Sequence, residues 1–291
     1  MRTNRTSRLS KKRTNEGLSN ELVLSGGNSD SPKVDVWIAH TNDFEERDCR
    51  DLPFSNREIE KSKSYQIATD RMRYLTSRAL LRIALSHSLD NQVAASDWCF
   101  DENKGDKPVV SRGLPSVHFN MSAQKSLCVV TTCLHYPVGV DIEPINSSSG
   151  AVIVWSALSV RERARLNSLP LEMRWSNFIQ LWTLKEAYAK LSGKGIALDL
   201  SSIDVPACED ACTITDNMAF SVGEVCMEFY PLDADDRRYC LALAAATREC
   251  SQLATSFHTV DFGKGKPDIV FLDDKYSLDP ELHTYVRNEH G

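Results

Sequence analysis

The sequence predicts an α+β protein in which two similar α+β halves lie in one chain. Strand-like and helical segments follow the order strand, helices, strands, and this order occurs twice without the regular βαβ alternation of a parallel sheet. A length of 291 residues allows one large domain or two small ones. We divide the chain into a basic tail (1–33), a first half (34–138), a second half (139–250) and a C-terminal extension (251–291).

Composition narrows the class of protein. An apolar content of 42% and a charged content of 25% are typical of a soluble globular protein. The formal net charge of −6 predicts neither a nucleic-acid nor a membrane partner. Because no apolar run reaches the roughly 20 residues that span a bilayer, and no secretory leader is visible, we expect a cytoplasmic protein. The nine cysteines lack metal-binding spacings, which favours reduced thiols.

The first half begins after a polar, basic segment that ends near Pro32. That composition predicts a disordered tail, and a transit-like or nucleic-acid-attracting arm is the alternative. Asn56 to His87 has the apolar spacing of a helix in two pieces. The predicted strands of this half are Val34–Ala39, Trp98–Phe100, Val117–Ser122 and Leu127–Cys133. A turn at Asp101–Pro108 follows the second of them.

The second half follows the same order. A strand at Pro137–Pro144 leads through a polar linker to Ser159, where a capping box with Glu162 opens a helix. Pro170 suits the first position of a long helix that ends at Gly193. The remaining predicted strands are Ile203–Val205, Glu224–Tyr230, Tyr239–Ala245 and, in the extension, Asp268–Leu272.

The long helix carries an unusual carboxylate. Glu186 falls within an apolar stripe of this helix, and a second apolar line covers the other side. A buried carboxylate needs a cation or several donors as partners. A structural ion pair with Lys190, one turn further on, is the simplest interpretation. The apolar stripe consists of Trp175, Phe178, Ile179 and Trp182.

Two further acids change that interpretation. Asp141 and Glu143 are two residues apart on a predicted strand, so both side chains project from one face while Val140 and Ile142 point to the other. Like charges side by side are costly unless a cation lies between them. With Glu186 as a third oxygen donor, the set indicates a Mg²⁺ site. An exposed strand edge that carries two acids is the alternative.

These motifs resemble a known family. The segment Gly139–Glu143 (Gly-Val-Asp-Ile-Glu) and the segment Trp182–Ala187 (Trp-Thr-Leu-Lys-Glu-Ala), with Lys190 and Gly193–Gly195, are similar to the paired signature of 4′-phosphopantetheinyl transferases. Gly105–Pro108 and Phe119–Ser122 resemble two upstream motifs of the same family. The resemblance covers about Val34 to Ala246 and is to the larger, pseudo-dimeric class, which implies two α+β halves in one monomeric chain.

The resemblance implies an activity and its partners. The protein would transfer the phosphopantetheine arm from coenzyme A to a serine of an apo acyl or peptidyl carrier protein and release 3′,5′-ADP. Asp141, Glu143 and Glu186 would hold Mg²⁺ against the coenzyme A pyrophosphate, and Glu186 could also accept the serine proton. Lys190 would lie beside the leaving phosphate, where a compact ammonium suits the charge.

The resemblance also implies contacts to coenzyme A in the first half. They involve Lys107 and Pro108 of the Lys-Pro turn, Asn120 and Ser122, and Lys61, with Arg57 or Lys63 as substitutes for Lys61. For each cation a solvated surface position is the alternative. The chain departs from the family at Ala123, where relatives often have histidine, so Gln124 or Lys125 could supply the missing contact.

Between the two signature motifs lies a basic and apolar segment. Its arginines are Arg161, Arg163, Arg165 and Arg174, and its leucines are Leu158, Leu166 and Leu169. Such a surface could dock an acidic carrier helix, or it could be an ordinary amphipathic helix. Two other function classes stay open: a non-catalytic relative that binds coenzyme A or a carrier, and a different Mg²⁺-dependent phosphohydrolase.

Overall fold

A computed structural model of the chain describes ten stretches of residues. They are 33–43, 54–102, 108–145, 152–194, 198–207, 211–215, 224–235, 237–247, 253–262 and 267–272. Nearly all of the predicted basic tail, the linker after Ile145 and the predicted site residue Lys107 lie outside these stretches.

Within these ten stretches, four α-helices form where the sequence predicts them. They are α1 (Asn56–Ser64), α2 (Ala68–His87), α3 (Val160–Ser168) and α4 (Leu171–Ser192). Ser55 and Ser159 each close a capping box with the glutamate three residues later, which satisfies the first amides of α1 and α3. Gly193 adopts a left-handed φ of 70° and ends α4. Pro170 is the N-cap of α4 and not its first helical residue, because its ψ of 147° is extended.

Eleven strands form three sheets within the described residues. The first sheet has the order β11-β10-β1-β5-β4, the second the order β6-β9-β8-β7, and β2 pairs with β3 alone. Among the ladders that the structure describes, β1 and β10 pair in parallel and the others are antiparallel. The strands are β1 (Lys33–His40), β2 (Phe100–Glu102), β3 (Pro108–Val110), β4 (His118–Gln124), β5 (Leu127–Cys133), β6 (Val138–Pro144), β7 (Ala211–Thr215), β8 (Glu224–Ala234), β9 (Arg237–Thr247), β10 (Ala254–Asp261) and β11 (Asp268–Leu272).

The two large sheets share one apolar layer. Alternate residues of β1 and β5 pack with alternate residues of β6 and β9 between the sheets, as Ile38, Val129, Val140 and Leu241 show. The outer face of the first sheet packs on α2, and the outer face of the second packs on α4. This arrangement confirms the predicted α+β class, with α2 against the first sheet and α4 against the second.

Several predicted strands differ from the structure. Ile203–Val205 forms no strand, since the Ile203 carbonyl accepts from Lys185 and the Val205 amide donates to Glu162. The strand predicted at Trp98–Phe100 starts at Phe100 instead and ends at Glu102. The sequence did not predict β3, β7 or β10, and β3 begins at Pro108, the last residue of the predicted turn. β10 and β11, both from the predicted C-terminal extension, join the sheet of the first half. No helix in the described stretches is long and apolar enough to cross a membrane.

Candidate active site

The candidate site lies on a seam where β4 of the first sheet runs beside β6 of the second. Ser122 Oγ donates to Asp141 Oδ1 at 2.8 Å, and Gln124 Nε2 donates to Glu143 Oε2, also at 2.8 Å. Both pairs are 19 residues apart, so the two strands run in the same direction with a constant offset. Both acids therefore project from the face of β6 opposite Val140 and Ile142, as the alternation predicts.

Asp141 is the centre of this cluster. Only 4% of the residue is exposed, which rules out the alternative of two acids on an exposed strand edge. Its Oδ1 accepts from Lys190 Nζ at 2.6 Å, and the same ammonium donates to Ser122 Oγ at 2.9 Å. Lys190 thus pairs with Asp141, and the ion pair with Glu186 that the helical spacing suggested is not formed. A half-buried ammonium between a carboxylate and a hydroxyl marks a place suited to bound negative charge.

Helix α4 brings its side chains to the acids because it lies against β6 at Gly139. A Cβ added at Gly139 would stand 2.1 Å from the Ala187 carbonyl oxygen and 2.7 Å from the Leu191 amide. Only glycine permits this approach of helix backbone to strand. Asn120 of β4 extends the contact, since its side-chain amide donates to the Lys190 carbonyl at 3.3 Å.

The carboxyl groups of Glu143 and Glu186 both have raised pKa values. Burial, and then the charge of Asp141, raise the pKa of Glu143, while hydrogen bonds from Gln124 and Trp182 and the Lys190 charge oppose the rise. Burial and Asp141 likewise raise the pKa of Glu186, and Lys190 opposes them. Both pKa values are therefore raised first by burial and second by the nearby charge of Asp141.

We tested whether these residues fit a divalent cation. Within the described stretches, no three acidic, histidine or cysteine side chains stand arranged to hold a metal ion as they are. Asp141 Oδ2, however, is buried without a hydrogen-bond partner in the structure, and a carboxylate oxygen in that position is free to bind a cation. Three carboxylates are the donors that Mg²⁺ prefers. The donor set therefore fits Mg²⁺ in type and charge.

A second buried ion pair was missed by the sequence analysis. Lys185, beside Glu186 on α4, is fully buried, and its ammonium lies 2.6 Å from Glu162 Oε2. The ammonium also donates to the carbonyls of Ala157, Leu200 and Ile203. Burial lowers the pKa of Lys185 and Glu162 opposes that effect. This network attaches the start of α3 and the 200–205 segment to α4. Its only sequence signal was Glu162 in the capping box.

Other predicted coenzyme A residues lie apart from this cluster or bond within the protein. Lys61 of α1 is half-buried, with its ammonium 5.7 Å from the centre of the Tyr74 ring. Pro108 is buried at the start of β3. Ala123 packs on the core beneath α2, on the face of β4 opposite Ser122 and Gln124. Arg57 and Lys63 are exposed on α1.

The predicted docking segment divides into a core and a surface. Leu158 and Leu166 are each 1% exposed and belong to the core, so for them the ordinary amphipathic helix is the correct interpretation. Arg165 donates to the Val205 carbonyl. Arg161, in contrast, has a side chain 87% exposed and reaches Asp204 at 3.3 Å. Exposed apolar side chains accompany it on and before α3: Val152, Val154, Trp155 and Val160.

The part of the chain that carries Asp141, Glu143, Glu186 and Lys190 matches a known protein family. Residues 137–244 match the family model of the 4′-phosphopantetheinyl transferase superfamily. The 4′-phosphopantetheinyl transferase psf-1 of Bacillus pumilus is 35% identical over 166 residues, 54% of this chain and 70% of the relative. HetI of Nostoc sp. strain PCC 7120, also named a 4′-phosphopantetheinyl transferase, is 28% identical over 57% of this chain and 71% of its own. The 4′-phosphopantetheinyl transferase Sfp of Bacillus subtilis strain 168 is 30% identical over 52% of this chain and 65% of its own.

Proposed function

The chain belongs to the 4′-phosphopantetheinyl transferase superfamily, and we propose that it moves the 4′-phosphopantetheine arm of coenzyme A to a serine of an apo acyl or peptidyl carrier protein. The reaction would require Mg²⁺ and release 3′,5′-ADP. One observation carries the proposal: Asp141, Glu143, Glu186 and Lys190 lie together on the seam between the two halves. Attack on a pyrophosphate needs neutralised phosphate charge and a positioned hydroxyl, and these groups suit both needs.

Asp141, Glu143 and Glu186 would hold the cation. The unpartnered Asp141 Oδ2 and the charge that the three acids share support this assignment. Bound Mg²⁺ would polarise the pyrophosphate and neutralise charge on the leaving group. Within the chain, Ser122 donates to Asp141 from the opposite strand.

Lys190 and Glu186 have separate roles in the proposal. Lys190 is fixed by Asp141 and Ser122 at the edge of the acidic cluster, where its ammonium can pair with a phosphate oxygen. Glu186 is half-buried and has a raised pKa, which brings it closer to the range that suits a general base. We assign to it the removal of the serine proton. Lys61, Lys107, Pro108 and Asn120 remain proposed contacts or supports for coenzyme A.

The setting of the reaction follows from the same features. Both halves of one chain supply side chains to the site, which supports a monomer. Five cysteines in the described stretches are free thiols, which suits the reducing cytoplasm. Arg161 and the exposed apolar residues near α3 form a surface suited to an acidic carrier protein.

Intact-mass measurement tests the proposal. The purified protein, apo carrier protein, coenzyme A and Mg²⁺ should yield a carrier heavier by one phosphopantetheine arm, with 3′,5′-ADP released and no product in EDTA. Glu186→Gln should lower the initial rate at least about 100-fold, the usual contribution of a general base. Full activity of Glu186→Gln would refute that residue's role.

The same assay separates the two other function classes. Coenzyme A binding without a change in carrier mass would indicate a non-catalytic relative. Breakdown of coenzyme A without a labelled carrier would indicate a phosphohydrolase. Either result would reject the proposed transfer.

A further inference from the structure

Gln124 is a polar residue of the seam whose role the proposed activity does not by itself explain. It is half-buried near the end of β4, and its amide nitrogen lies 2.8 Å from Glu143 Oε2. β4 and β6 belong to different sheets, so this bond crosses from one half of the molecule to the other. It follows that the first half contributes to the acidic cluster at two positions, Ser122 and Gln124.

The two cross-seam bonds differ in what else holds each acid. Asp141 has the Lys190 ammonium in addition to Ser122, so its orientation does not depend on the first half alone. Glu143 accepts instead from Gln124 across the seam and from the Trp182 side chain of its own half, and both of these donors are uncharged. A neutral donor fixes the carboxylate without neutralising its charge, so the full negative charge stays available to a cation. Carboxylates that bind metals are commonly fixed in this way by outer hydrogen bonds.

We propose that Gln124 is a positioning residue that orients Glu143 toward a divalent cation from across the seam. The inference rests on the proposed function, because it takes Glu143 as a cation ligand. Ala123 and Lys125, its neighbours, do not share the role: Ala123 faces the core beneath α2, and Lys125 is exposed in the turn with a φ of 54°.

The test measures cation binding directly. Mn²⁺ affinity of the purified protein is determined by electron paramagnetic resonance, with no substrate present, for wild type and for Gln124→Met, which keeps the side-chain length and removes the donor. We expect about 10-fold weaker Mn²⁺ binding, as for other lost outer partners of metal ligands. In the labelling assay the Mg²⁺ concentration for half-maximal rate should rise by a similar factor, while the rate at saturating Mg²⁺ changes little. Gln92→Met, an exposed glutamine in the first half, is the matched control and should bind Mn²⁺ as wild type does.

A double-mutant cycle shows whether Gln124 acts through Glu143. In a Glu143→Gln background, Gln124→Met should have no further effect on Mn²⁺ affinity, because the group that it orients is gone. An equal loss in both backgrounds would overturn the inference and indicate a general structural role, as would unchanged affinity of Gln124→Met. A wild-type protein that labels the carrier but gives either result leaves the proposed function intact. A wild type that neither binds Mn²⁺ nor labels the carrier rejects both.

Discussion

Lys190 bonds to Asp141 on the strand rather than to Glu186 on its own helix. This choice leaves the Glu186 carboxylate without a hydrogen bond or ion pair among the described residues, although the side chain is half-buried. An acid held in that state is costly for the folded protein, since burial and a neighbouring charge both disfavour its ionised form. The cost is the physical argument for a functional role of Glu186 rather than a structural one.

That cost predicts a pH dependence of stability. The raised pKa of Glu186 means that the folded state binds its proton more tightly than the unfolded state does, so stability is present at low pH and is lost as the pH rises through the folded-state pKa. Glu186→Gln removes the charge at nearly constant size. We expect its free energy of unfolding, relative to wild type, to increase between acidic and neutral pH in metal-free buffer.

Urea unfolding of both proteins across that range measures the difference. Added Mg²⁺ should reduce it, because a cation offsets the charge in wild type only. Glu172→Gln, an exposed acid in the first turn of the same helix, serves as the control and should show no such gain. A wild-type-to-Glu186→Gln difference that stays constant with pH would contradict the assigned burial and charge.

At the scale of elements, the site depends on how closely α4 approaches β6. Gly139 allows the helix backbone to touch the strand, and Glu186 and Lys190 lie on the turns of α4 on either side of that contact. The buried Lys185–Glu162 pair fixes α4 from another side. Removing one partner of a buried ion pair typically costs about 3–5 kcal/mol, so this pair holds the helix in a single position only while both members are present.

Gly139→Ala tests this dependence. Its Cβ cannot fit 2.1 Å from the Ala187 oxygen, so α4 must move. We expect the free energy of unfolding to fall by about 1–3 kcal/mol, as for other overpacked sites, and Mn²⁺ binding to weaken as well. Val140→Ala, the next residue, is the control because its side chain points into the layer between the sheets. Val140→Ala should lose stability but keep Mn²⁺ affinity; equal Mn²⁺ affinity in Gly139→Ala would contradict the dependence.

Across the whole molecule, the features set by local sequence patterns could be predicted, whereas the pairing of distant strands could not. The helices and the strands around Asp141 follow from capping boxes, 3.6-residue spacing and alternation, and all of these are local. The pairing of β10 with β1 joins residues more than 200 positions apart, which no local pattern encodes. The Ile203–Val205 segment has the composition of a strand, but its backbone hydrogen-bonds to the side chains of Lys185 and Glu162 and pairs with no strand.

The site shows the same division. Placing Asp141 and Glu143 on one face required only a period of two, whereas the partners of Lys190 and Gln124 depend on how two sheets meet. The helical spacing suggested an ion pair between Glu186 and Lys190 because these residues lie one turn apart on α4. In the structure Lys190 pairs instead with Asp141 of β6, so a tertiary contact replaces the local pair.

The position of α3 relative to α4 bears on the proposed carrier-docking surface. In the proposed reaction the carrier protein would bring its serine to Glu186, and the basic and apolar residues at the start of α3 belong to the half that carries α4. Arg161 is mostly exposed, so its charge can act on a partner, whereas the contact of Arg165 with the Val205 carbonyl would be lost on substitution. Arg161 is therefore the position at which charge can be reversed with little effect on the fold.

Arg161→Glu should raise KM for an acidic carrier protein about 3- to 10-fold, the effect of turning an exposed attraction of up to about 1 kcal/mol into a repulsion. The KM for coenzyme A and the rate at saturating carrier should stay near wild type, because Arg161 lies outside the acidic cluster. The increase should shrink at high salt, since screening weakens exposed charges. Arg112→Glu, an exposed arginine in the first half, controls for the change in net charge. An equal rise in carrier KM for both variants would show that net charge, and not a local contact of Arg161, causes the effect. An unchanged carrier KM for Arg161→Glu would show that the carrier docks on another surface.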